Sequence, residues 1–389
     1  MTACIVGWSH TPFGKLEDED AESLIVRATR EALADAGLRA SDIDEIFVGY
    51  FNAGFSPQDF PSSLVMQADD GFRFTPATRV ENACATGSAA IYQGLSAIAA
   101  GRARIVLAVG AEKMYATPSE RIGEILFSCS YVKEGEGQEA AGFPGIFARI
   151  AELYFNRHGD RSDALARIAA KNHKNGAANP LAQLRKDLGY DFCRQVSEKN
   201  PIVAGPLRRT DCSPVSDGAA AVILADVDTA LSMNKAVVFR AARQVNDYLP
   251  MARRDMTRFE AQEKAWREAR AEARVSLDDL GLVELHDCFT IAELMAYEAM
   301  GLTDHGQGAR AIDEGWTAMG GKLPVNPSGG LKSKGHPIGA TGISMHVLAA
   351  MQVTGTAGAI QVPGASLAGV CNMGGTAVTN YVSILEALR

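Results

Sequence analysis

The sequence predicts an α/β fold in which two similar halves pack side by side. Helical and strand-like segments alternate up to about residue 115, which is typical of strands in one largely parallel central sheet. Two segments of the first third recur in the same order in the last third, which indicates an internal duplication. The middle of the chain, about 116–212, has no clear strand rhythm and is interpreted as an insertion that covers one face of the core.

The first third supplies the clearest elements. A short strand opens the chain, and residues 21–36 carry apolar side chains at helical spacing, with Gly37 as the C-cap. Further strands are predicted at 45–51 and from Arg104. A helix rich in small residues starts near Cys84, and its small side chains predict close packing against a neighbour.

The duplication is seen in two matched segments. ATREALADAGL, from Ala28, resembles AWREARAEARV, from Ala265, and each is followed by an acidic turn and a strand. ACATGSAA, from Ala83, resembles IGATGISM, from Ile338, and each opens a small-residue helix. We therefore expect the active site to lie between two equivalent helix N-termini.

Length and composition limit the alternatives. The 389 residues predict a first domain at 1–235, which contains the insertion, and a second at 236–389. The formal net charge of -8 argues against nucleic-acid binding. The seven cysteines show no CxxC or zinc-type spacing, so we expect a reducing compartment. Neither a secretory signal nor a membrane span is recognisable, so a cytoplasmic protein is expected.

Cys84 and His336 are the candidate nucleophile and base. Cys84 lies where a helix begins, and the free N–H groups and partial positive charge of a helix N-terminus favour an ionised thiolate. His336 lies on a Gly- and Pro-rich turn, from which its ring could take a proton from a thiol. A buried structural cysteine and a turn histidine bonded to backbone are the alternatives. The turn matches neither GxGxxG nor GxxxxGK[ST], which excludes a nucleotide-fold interpretation.

His286 and Cys288 share one face of a predicted strand, so both could reach one pocket. Asp287, between them, points to the opposite face and is expected to cap the next helix, near Ala292. Because adjacent strand residues face opposite ways, these three residues are not expected to share a metal, and no metal site is predicted.

A second cysteine candidate, Cys371, is expected in a Gly-rich turn as a proton donor and acceptor. The backbone N–H groups of Gly374 and Gly375 in that turn are candidates to bind an oxyanion. We expect the remaining cysteines, Cys4, Cys129, Cys193 and Cys212, to be structural, or in the case of Cys212 incidental to a neighbouring ligand loop.

Together these segments resemble the motifs of the thiolase family. ENACATGSAA resembles its nucleophile motif, GHPIGATG its histidine motif and GVCNMGG its C-terminal cysteine–glycine turn. HDCF stands where many thiolases carry Asn-Glu-Ala-Phe and is the variant of the sterol-carrier-protein-2 type. The resemblance implies acetyl-CoA acetyltransferase-like chemistry, which is Claisen condensation of acyl-CoA with acetyl-CoA or the reverse thiolysis of 3-ketoacyl-CoA.

The resemblance also implies a fold and partners. Two βαβαβαββ halves would pack in αβαβα layers, with the loop insertion after the first half. Coenzyme A would be substrate and product, with no tightly bound cofactor. A homodimer or homotetramer is expected, and a small CoA-presenting partner protein is a further expectation.

Residue roles follow from the same resemblance. Cys84 would carry the acyl group, His336 would activate it, and His286 would replace the usual asparagine beside the thioester oxygen. Backbone N–H groups of Cys84 and of the Gly374 turn would form a second oxyanion hole. Either Cys288, as in the HDCF type, or the cysteine of the C-terminal turn would move the proton at the substrate α-carbon.

Two departures from the family pattern concern the C-terminal turn and the CoA loop. Cys-Asn-Met-Gly is one residue longer than the usual Cys-x-Gly, which puts the position of Cys371 in question. Ser213 matches the serine that contacts the CoA pantetheine, but Pro214 replaces the following glycine. Arg208 and Arg209 are candidate partners for the CoA phosphates on charge alone.

Two other functions fit parts of the same pattern. A decarboxylating ketosynthase uses one cysteine and two histidines, but the proline of GHPIGATG and the lack of a His-Gly-Thr-Gly-Thr segment argue against it. Activity with a malonyl thioester and none with acetyl-CoA would favour it. A thiolase-like scaffold subunit in a CoA-handling complex is the other alternative, and a Cys84→Ala variant with intact cellular function would support it.

Overall fold

The computed structural model describes residues 3–134 and 142–388. Residues 135–141 of the predicted insertion lie outside the described residues. The strands are β1 (Ala3–His10), β2 (Glu45–Gly49), β3 (Ala77–Val80), β4 (Ile105–Glu112), β5 (Ile202–Ala204), β6 (Leu207–Arg208), β7 (Gly218–Asp226), β8 (Val237–Asn246), β9 (Leu282–Leu285), β10 (Leu367–Gly374) and β11 (Thr379–Ala387).

The helices are α1 (Ala21–Ala36), α2 (Pro61–Leu64), α3 (Thr86–Ala99), α4 (Ser119–Phe127), α5 (Gly142–His158), α6 (Ser162–Ala178), α7 (Gly189–Arg194), α8 (Val227–Ala230), α9 (Glu260–Ala273), α10 (Thr290–Ala299), α11 (Gly308–Asp313), α12 (Gly330–Lys334) and α13 (Ile338–Val353). Gly37 ends α1 with a φ of 67°, as the sequence predicted. Among the described helices, none combines the length and the apolar character needed to cross a membrane.

Nine strands form one mixed sheet in the order β3-β2-β4-β7-β1-β8-β11-β10-β9. Five of its eight pairings are antiparallel, so the expectation of a largely parallel sheet is wrong. One strand in each half, β7 or β11, runs against both of its neighbours and so adds two antiparallel pairings. The junction between β1 and β8 adds the fifth.

The two halves repeat one topology, as the duplicated segments predicted. In the first half the order is β3-β2-β4-β7-β1, and in the second β9, β10, β11 and β8 follow in the equivalent positions. In the second half, Val325 forms a parallel bridge to Val283 of β9. This bridge takes the place of the pairing between β3 and β2 in the first half. The matched segments fall on α1 and α9 and on α3 and α13, which confirms the duplicated α/β fold.

Glycines bring the backbones of α3 and α13 into contact. A Cβ on Gly87 would lie 2.8 Å from the carbonyl oxygen of Gly339 and 2.8 Å from the amide nitrogen of Ile343. Backbone atoms cannot move aside as a flexible side chain can, so this contact requires glycine. Because the helices touch near their N-termini, the residues that precede them, Cys84 and His336, are brought to the same place.

We expect Gly87→Ala to destabilise the protein by about 1–3 kcal/mol, because it overpacks this helix contact. Chemical unfolding followed by circular dichroism would measure the change. Gly123→Ala, in α4, is the matched control, since its Cβ would meet no atom within 4 Å. The control should be neutral or slightly stabilising, because alanine has the higher helix propensity. Equal unfolding midpoints for Gly87→Ala and the unaltered protein would contradict the proposed contact.

The insertion is largely helical where it is described, and it lies over the second half. The helices predicted around Ile150 and Ile168 are α5 and α6, whereas the small hairpin of β5 and β6 was not predicted. The Asn172 side chain on α6 donates to Asp287 at 2.8 Å, and Asn175 donates to the carbonyl oxygen of Asn326 at 2.9 Å. Polar contacts thus hold a first-half segment against the turns that precede α10 and α12.

Candidate active site

Three of the predicted residues meet at one point between the halves. The Cys84 sulfur and one ring nitrogen each of His286 and His336 all lie within 4.8 Å of one another. The two imidazole rings stand nearly perpendicular, with centroids 5.0 Å apart. Each residue is at most 8% exposed. A thiol therefore faces two imidazoles in a space that largely excludes water.

Cys84 sits on a tight turn between β3 and α3. Ala83 has a φ of 49°, in the left-handed region. The Thr86 hydroxyl closes the turn, because it accepts from the Asn82 N–H at 2.9 Å and donates to the Ala83 carbonyl at 2.6 Å. The sulfur accepts the backbone N–H groups of Gly375 and of Cys84 itself. The turn thus presents the sulfur to two backbone donors.

Burial raises the pKa of the Cys84 thiol to about 12. The backbone N–H groups of Gly375 and Cys84 act in the opposite direction, but desolvation of the thiolate outweighs them. The expectation that the helix N-terminus holds this sulfur ionised is therefore wrong. A neutral thiol must lose its proton during attack, and the acceptor has to lie next to it.

We expect alkylation of Cys84 by iodoacetamide to accelerate about tenfold per pH unit between about pH 7 and pH 9, because the thiolate remains a small fraction below its raised pKa. Peptide mapping would follow the modified residue, and glutathione in the same buffers serves as control. The glutathione rate should level off near its own pKa. A plateau for Cys84 below about pH 8 would instead show a preformed thiolate.

His336 is held in the tautomer of a proton acceptor. Its Nδ1 lies 2.6 Å from the Thr341 hydroxyl, which donates its own proton to the Pro337 carbonyl at 2.8 Å. The hydroxyl oxygen must therefore accept from Nδ1–H, and Nε2 carries the lone pair. Burial, helped by Lys334, lowers the pKa of His336 to about 3, so the ring is neutral. Among the described residues Nε2 has no partner, which leaves it free to take a proton.

His286 is held in the opposite tautomer. Its Nδ1 lies 2.9 Å from Asn372 Nδ2, and the same amide nitrogen donates to the Cys84 carbonyl at 3.3 Å. Since that carbonyl can only accept, Nδ2 is the atom that faces both groups, and Nδ1 of His286 is an acceptor. Its proton is then on Nε2, which also lacks a partner among the described residues. A protonated Nε2 cannot bind a metal, so the cluster is arranged for hydrogen bonding and proton transfer.

Cys288 lies near the nucleophile, as its position on the same strand face as His286 predicted. Burial raises the pKa of the Cys288 thiol well above its usual value, and the neighbouring Cys84 adds to the rise. Asp287 faces the other way and accepts the N–H groups of Leu331 at 2.6 Å and Lys332 at 3.2 Å. It therefore caps α12 and not the helix near Ala292, because the start of α12 folds against that face of the turn.

Cys371 does not reach the cluster. It lies within β10, fully buried, and its sulfur contacts the side chains of Trp266 and Gln262. Successive strand residues point to opposite faces, so the next residue, Asn372, enters the site instead. The candidate role of Cys371 in proton transfer is contradicted. Sequence reasoning missed Asn372, although the one-residue extension of the motif signals such a change of face.

Gly374 allows a close backbone contact, but its N–H is not the predicted hydrogen-bond donor. A Cβ there would lie 2.7 Å from the Asn82 carbonyl oxygen, so glycine lets β10 approach the nucleophile turn. The N–H that reaches the Cys84 sulfur belongs to Gly375, whose φ is 62°. The candidate second oxyanion hole is therefore built from the amides of Cys84 and Gly375.

A cleft of about 760 Å³ lies beside the cluster. Ser213 lines it and donates its backbone N–H to the Cys288 carbonyl at 2.9 Å, which links the cleft wall to the site. No carboxylate occurs among the described residues that line the cleft. Four exposed cations stand around it, namely Arg185, Lys186, Lys199 and Arg209. The cleft is thus suited to a long ligand that carries negative charge.

Arg208 does not line this cleft, so its prediction as a phosphate ligand is contradicted. Its buried guanidinium pairs with Asp211 at 2.9 Å and donates to the carbonyl oxygens of Arg194 at 2.9 Å and Ser162 at 3.0 Å. These contacts pair its charge inside the protein, where it ties β6 and the loop that follows to two other parts of the insertion. Its neighbour Arg209 is exposed at the cleft.

Two lining residues carried no recognisable signal in the sequence. His173 and Lys332 are each 2% exposed and line the cleft between α6 and α12. Within residues 3–134 and 142–388, neither ring nitrogen of His173 has a hydrogen-bond partner. Burial lowers the pKa of His173 to about 3, so its ring is neutral. Only the folding of α6 onto α12 brings these side chains to one cleft.

Comparison with known proteins identifies the family. The model of the thiolase N-terminal domain matches residues 3–228, and the model described as thiolase C-terminal domain-like matches residues 242–387. The chain belongs to the thiolase family. The predicted membership, fold and enzyme class are confirmed.

Curated relatives of this thiolase span nearly its whole length. Acetyl-CoA acetyltransferase of Methanothermobacter thermautotrophicus is 40% identical over 98% of each chain. Sterol carrier protein 2 of Homo sapiens is 34% identical over 95% of this chain and 69% of its own. The second similarity agrees with the HDCF motif.

Solved structures share the fold at lower identity. Human mitochondrial 3-ketoacyl-CoA thiolase has a TM-score of 0.74, with 19% identity over 99% of each chain. The Ltp2-ChsH2(DUF35) aldolase has a TM-score of 0.80, with 24% identity over 100% of this chain and 98% of that one. At these identities the likeness supports the thiolase fold and nothing finer.

Proposed function

We propose that this thiolase condenses acyl-CoA with acetyl-CoA, or cleaves 3-ketoacyl-CoA in the reverse direction, through an acyl thioester on Cys84. The observation that carries the proposal is the pair of opposite tautomers around one thiol. His336 offers a lone pair to the thiol proton, while His286 offers an N–H to a substrate oxygen. A nucleophile, a base and a separate oxygen donor are the groups that the reaction needs.

The first half-reaction forms the acyl-enzyme. His336 Nε2 takes the thiol proton as the Cys84 sulfur attacks the thioester carbonyl. The developing oxyanion is stabilised by the N–H groups of Cys84 and Gly375, which already point at the sulfur. When the tetrahedral adduct collapses, the carbon–sulfur bond to coenzyme A breaks, and the leaving thiolate takes a proton from Cys288. The enzyme then holds an acyl group, a protonated His336 and a Cys288 thiolate.

The second half-reaction makes the carbon–carbon bond. The Cys288 thiolate removes a proton from the α-carbon of acetyl-CoA, and its raised pKa makes it a strong base for this step. The enolate oxygen lies between two donors, Nε2–H of His286 and Nε2–H of protonated His336. The enolate carbon attacks the acyl carbonyl and expels the Cys84 thiolate, which recovers its proton from His336. Thiolysis is the same sequence in reverse.

The cleft beside the site is the proposed path of coenzyme A. Its exposed cations match the negative phosphates, and the absence of carboxylates among its described lining residues avoids repulsion. Ser213 lines the cleft and bonds the Cys288 carbonyl, so the pantetheine would pass Ser213 on its way to Cys84. His173 and Lys332 extend the polar lining between α6 and α12.

The proposal includes a homodimer or homotetramer in the cytoplasm. Within the described residues, β3 pairs on one side only and is an edge of the sheet. Phe74, just before it, is 87% exposed. An unpaired edge beside an exposed aromatic side chain supports pairing with a second copy. The proposal also includes a small partner protein that presents CoA to the enzyme.

Intact-mass analysis after incubation with acyl-CoA esters of several lengths tests the proposal. We expect one added acyl group, mapped to Cys84, and the most complete labelling would identify the preferred acyl chain.

Arg209→Glu tests the proposed CoA path. It should slow labelling by acetyl-CoA about tenfold while leaving labelling by acetyl-N-acetylcysteamine, which lacks the phosphates, unchanged. Acylation only at other residues would refute the proposed nucleophile, and equal slowing with both thioesters would refute the proposed CoA path.

A further inference from the structure

We propose that Asn372 is a positioning residue that fixes the proton of His286 on Nε2 and so makes this histidine a hydrogen-bond donor in the reaction. The inference rests on the proposed function, because it takes His286 as the group that holds the substrate oxygen. Asn372 itself touches no reacting atom. It acts through the ring of His286 and through the backbone of the nucleophile turn.

The Asn372 amide has one orientation. The side chain is fully buried in β10, where water cannot compete for its contacts. Its Oδ1 accepts from the Ser88 hydroxyl at 2.7 Å, and its Nδ2 donates to the Cys84 carbonyl at 3.3 Å. A flipped amide would set its oxygen against that carbonyl, two acceptors with no proton between them. The amide nitrogen therefore faces Nδ1 of His286, at 2.9 Å.

Fixing this tautomer matters because the site contains two neutral imidazoles side by side. If His286 carried its proton on Nδ1, its Nε2 lone pair would face both the substrate oxygen and His336. The substrate oxygen would then lose one donor, and the Nε2 lone pair of His286 would repel it. Thr341 sets His336 as the acceptor, and Asn372 sets His286 as the donor. The division of roles between two identical side chains thus depends on two neighbouring polar groups.

Asn372→Asp tests the inference with almost no change of shape, because a carboxylate at this place accepts from Nδ1–H and reverses the tautomer. We expect kcat to fall about 100- to 1000-fold, which is the usual cost of an oxyanion donor, while KM for acetyl-CoA changes only a few-fold. In proton–nitrogen correlation spectra of protein labelled with ¹⁵N-histidine, the unaltered protein should show His286 protonated on Nε2. The His286 signals are assigned by their loss in His286→Asn.

The double variant separates positioning from a structural role. An asparagine at 286 presents its amide N–H without a tautomer, so Asn372→Asp should cost less than about tenfold in the His286→Asn background. Ser88→Ala removes only the contact to Oδ1 and should retain activity within about threefold. An equal loss from Asn372→Asp in both backgrounds would overturn the inference.

The spectrum of the unaltered protein gives a test that does not depend on the folding of Asn372→Asp. Protonation of His286 on Nδ1 in that spectrum would also overturn the inference. Full activity of His286→Ala would instead refute the proposed role of His286 in the reaction. The two failures can be told apart, because the spectrum of the unaltered protein would still report the tautomer that Asn372 sets.

Discussion

Cys84→Ala is expected to lower the rate of acetoacetyl-CoA thiolysis by on the order of 10⁴-fold or more, because it removes the sulfur that is proposed to carry the acyl group. Loss of absorbance from the acetoacetyl-CoA enolate would measure the rate. The mass shift that follows incubation with acyl-CoA should disappear. The folded structure should persist, since the substitution removes one sulfur atom and leaves the turn that Thr86 closes.

Cys371→Ala is the matched control for this experiment. It removes a sulfur of equal size that is also buried, but that sulfur packs on the opposite face of β10, against Trp266 and Gln262. We expect activity within about threefold of the unaltered enzyme and a small loss of stability, as for other small core deletions. If both alanine variants lost activity equally, the assignment of Cys84 as sole nucleophile would be wrong.

The nucleophile and the base were predictable because the chain is duplicated. Each of Cys84 and His336 precedes a small-residue helix, and the two helices are equivalent in the two halves. Equivalent helices in a duplicated fold pack together, so residues just before them meet. The glycines that allow this contact, such as Gly87 and Gly339, are also visible in the sequence, although their partners are not.

The errors arose where a property depends on the whole fold. The pKa of Cys84 was predicted to fall because a helix begins there, yet burial has the larger effect and raises it. Arg208 was a candidate phosphate ligand on charge alone, yet its guanidinium is buried and pairs with Asp211. The motif that contains Cys371 was recognised, but which of its side chains faces the site was not. Because the motif is one residue longer than usual, Asn372 faces the site in place of Cys371.

Cys288→Ala is expected to separate the two half-reactions. The acyl adduct on Cys84 should still form, because the nucleophile, His336 and the two backbone donors are intact. Protonated His336 can give the leaving coenzyme A thiolate the proton that Cys288 supplies in the unaltered enzyme. Condensation should slow about 10²- to 10⁴-fold, which is the usual contribution of a positioned general base. Exchange of the acetyl-CoA methyl protons with deuterium, followed by mass spectrometry, should slow by the same factor, because it reports α-proton removal directly.

His336→Ala gives the contrasting defect and so makes the assignment testable. Without the acceptor beside Cys84, adduct formation itself should slow, whereas in Cys288→Ala the adduct should accumulate. If Cys288→Ala exchanged α-protons at the unaltered rate, another group would have to be the second base. Cys371 could be that group only if β10 changed register, because its sulfur packs against Trp266 and Gln262 on the face of the strand that points away from the site.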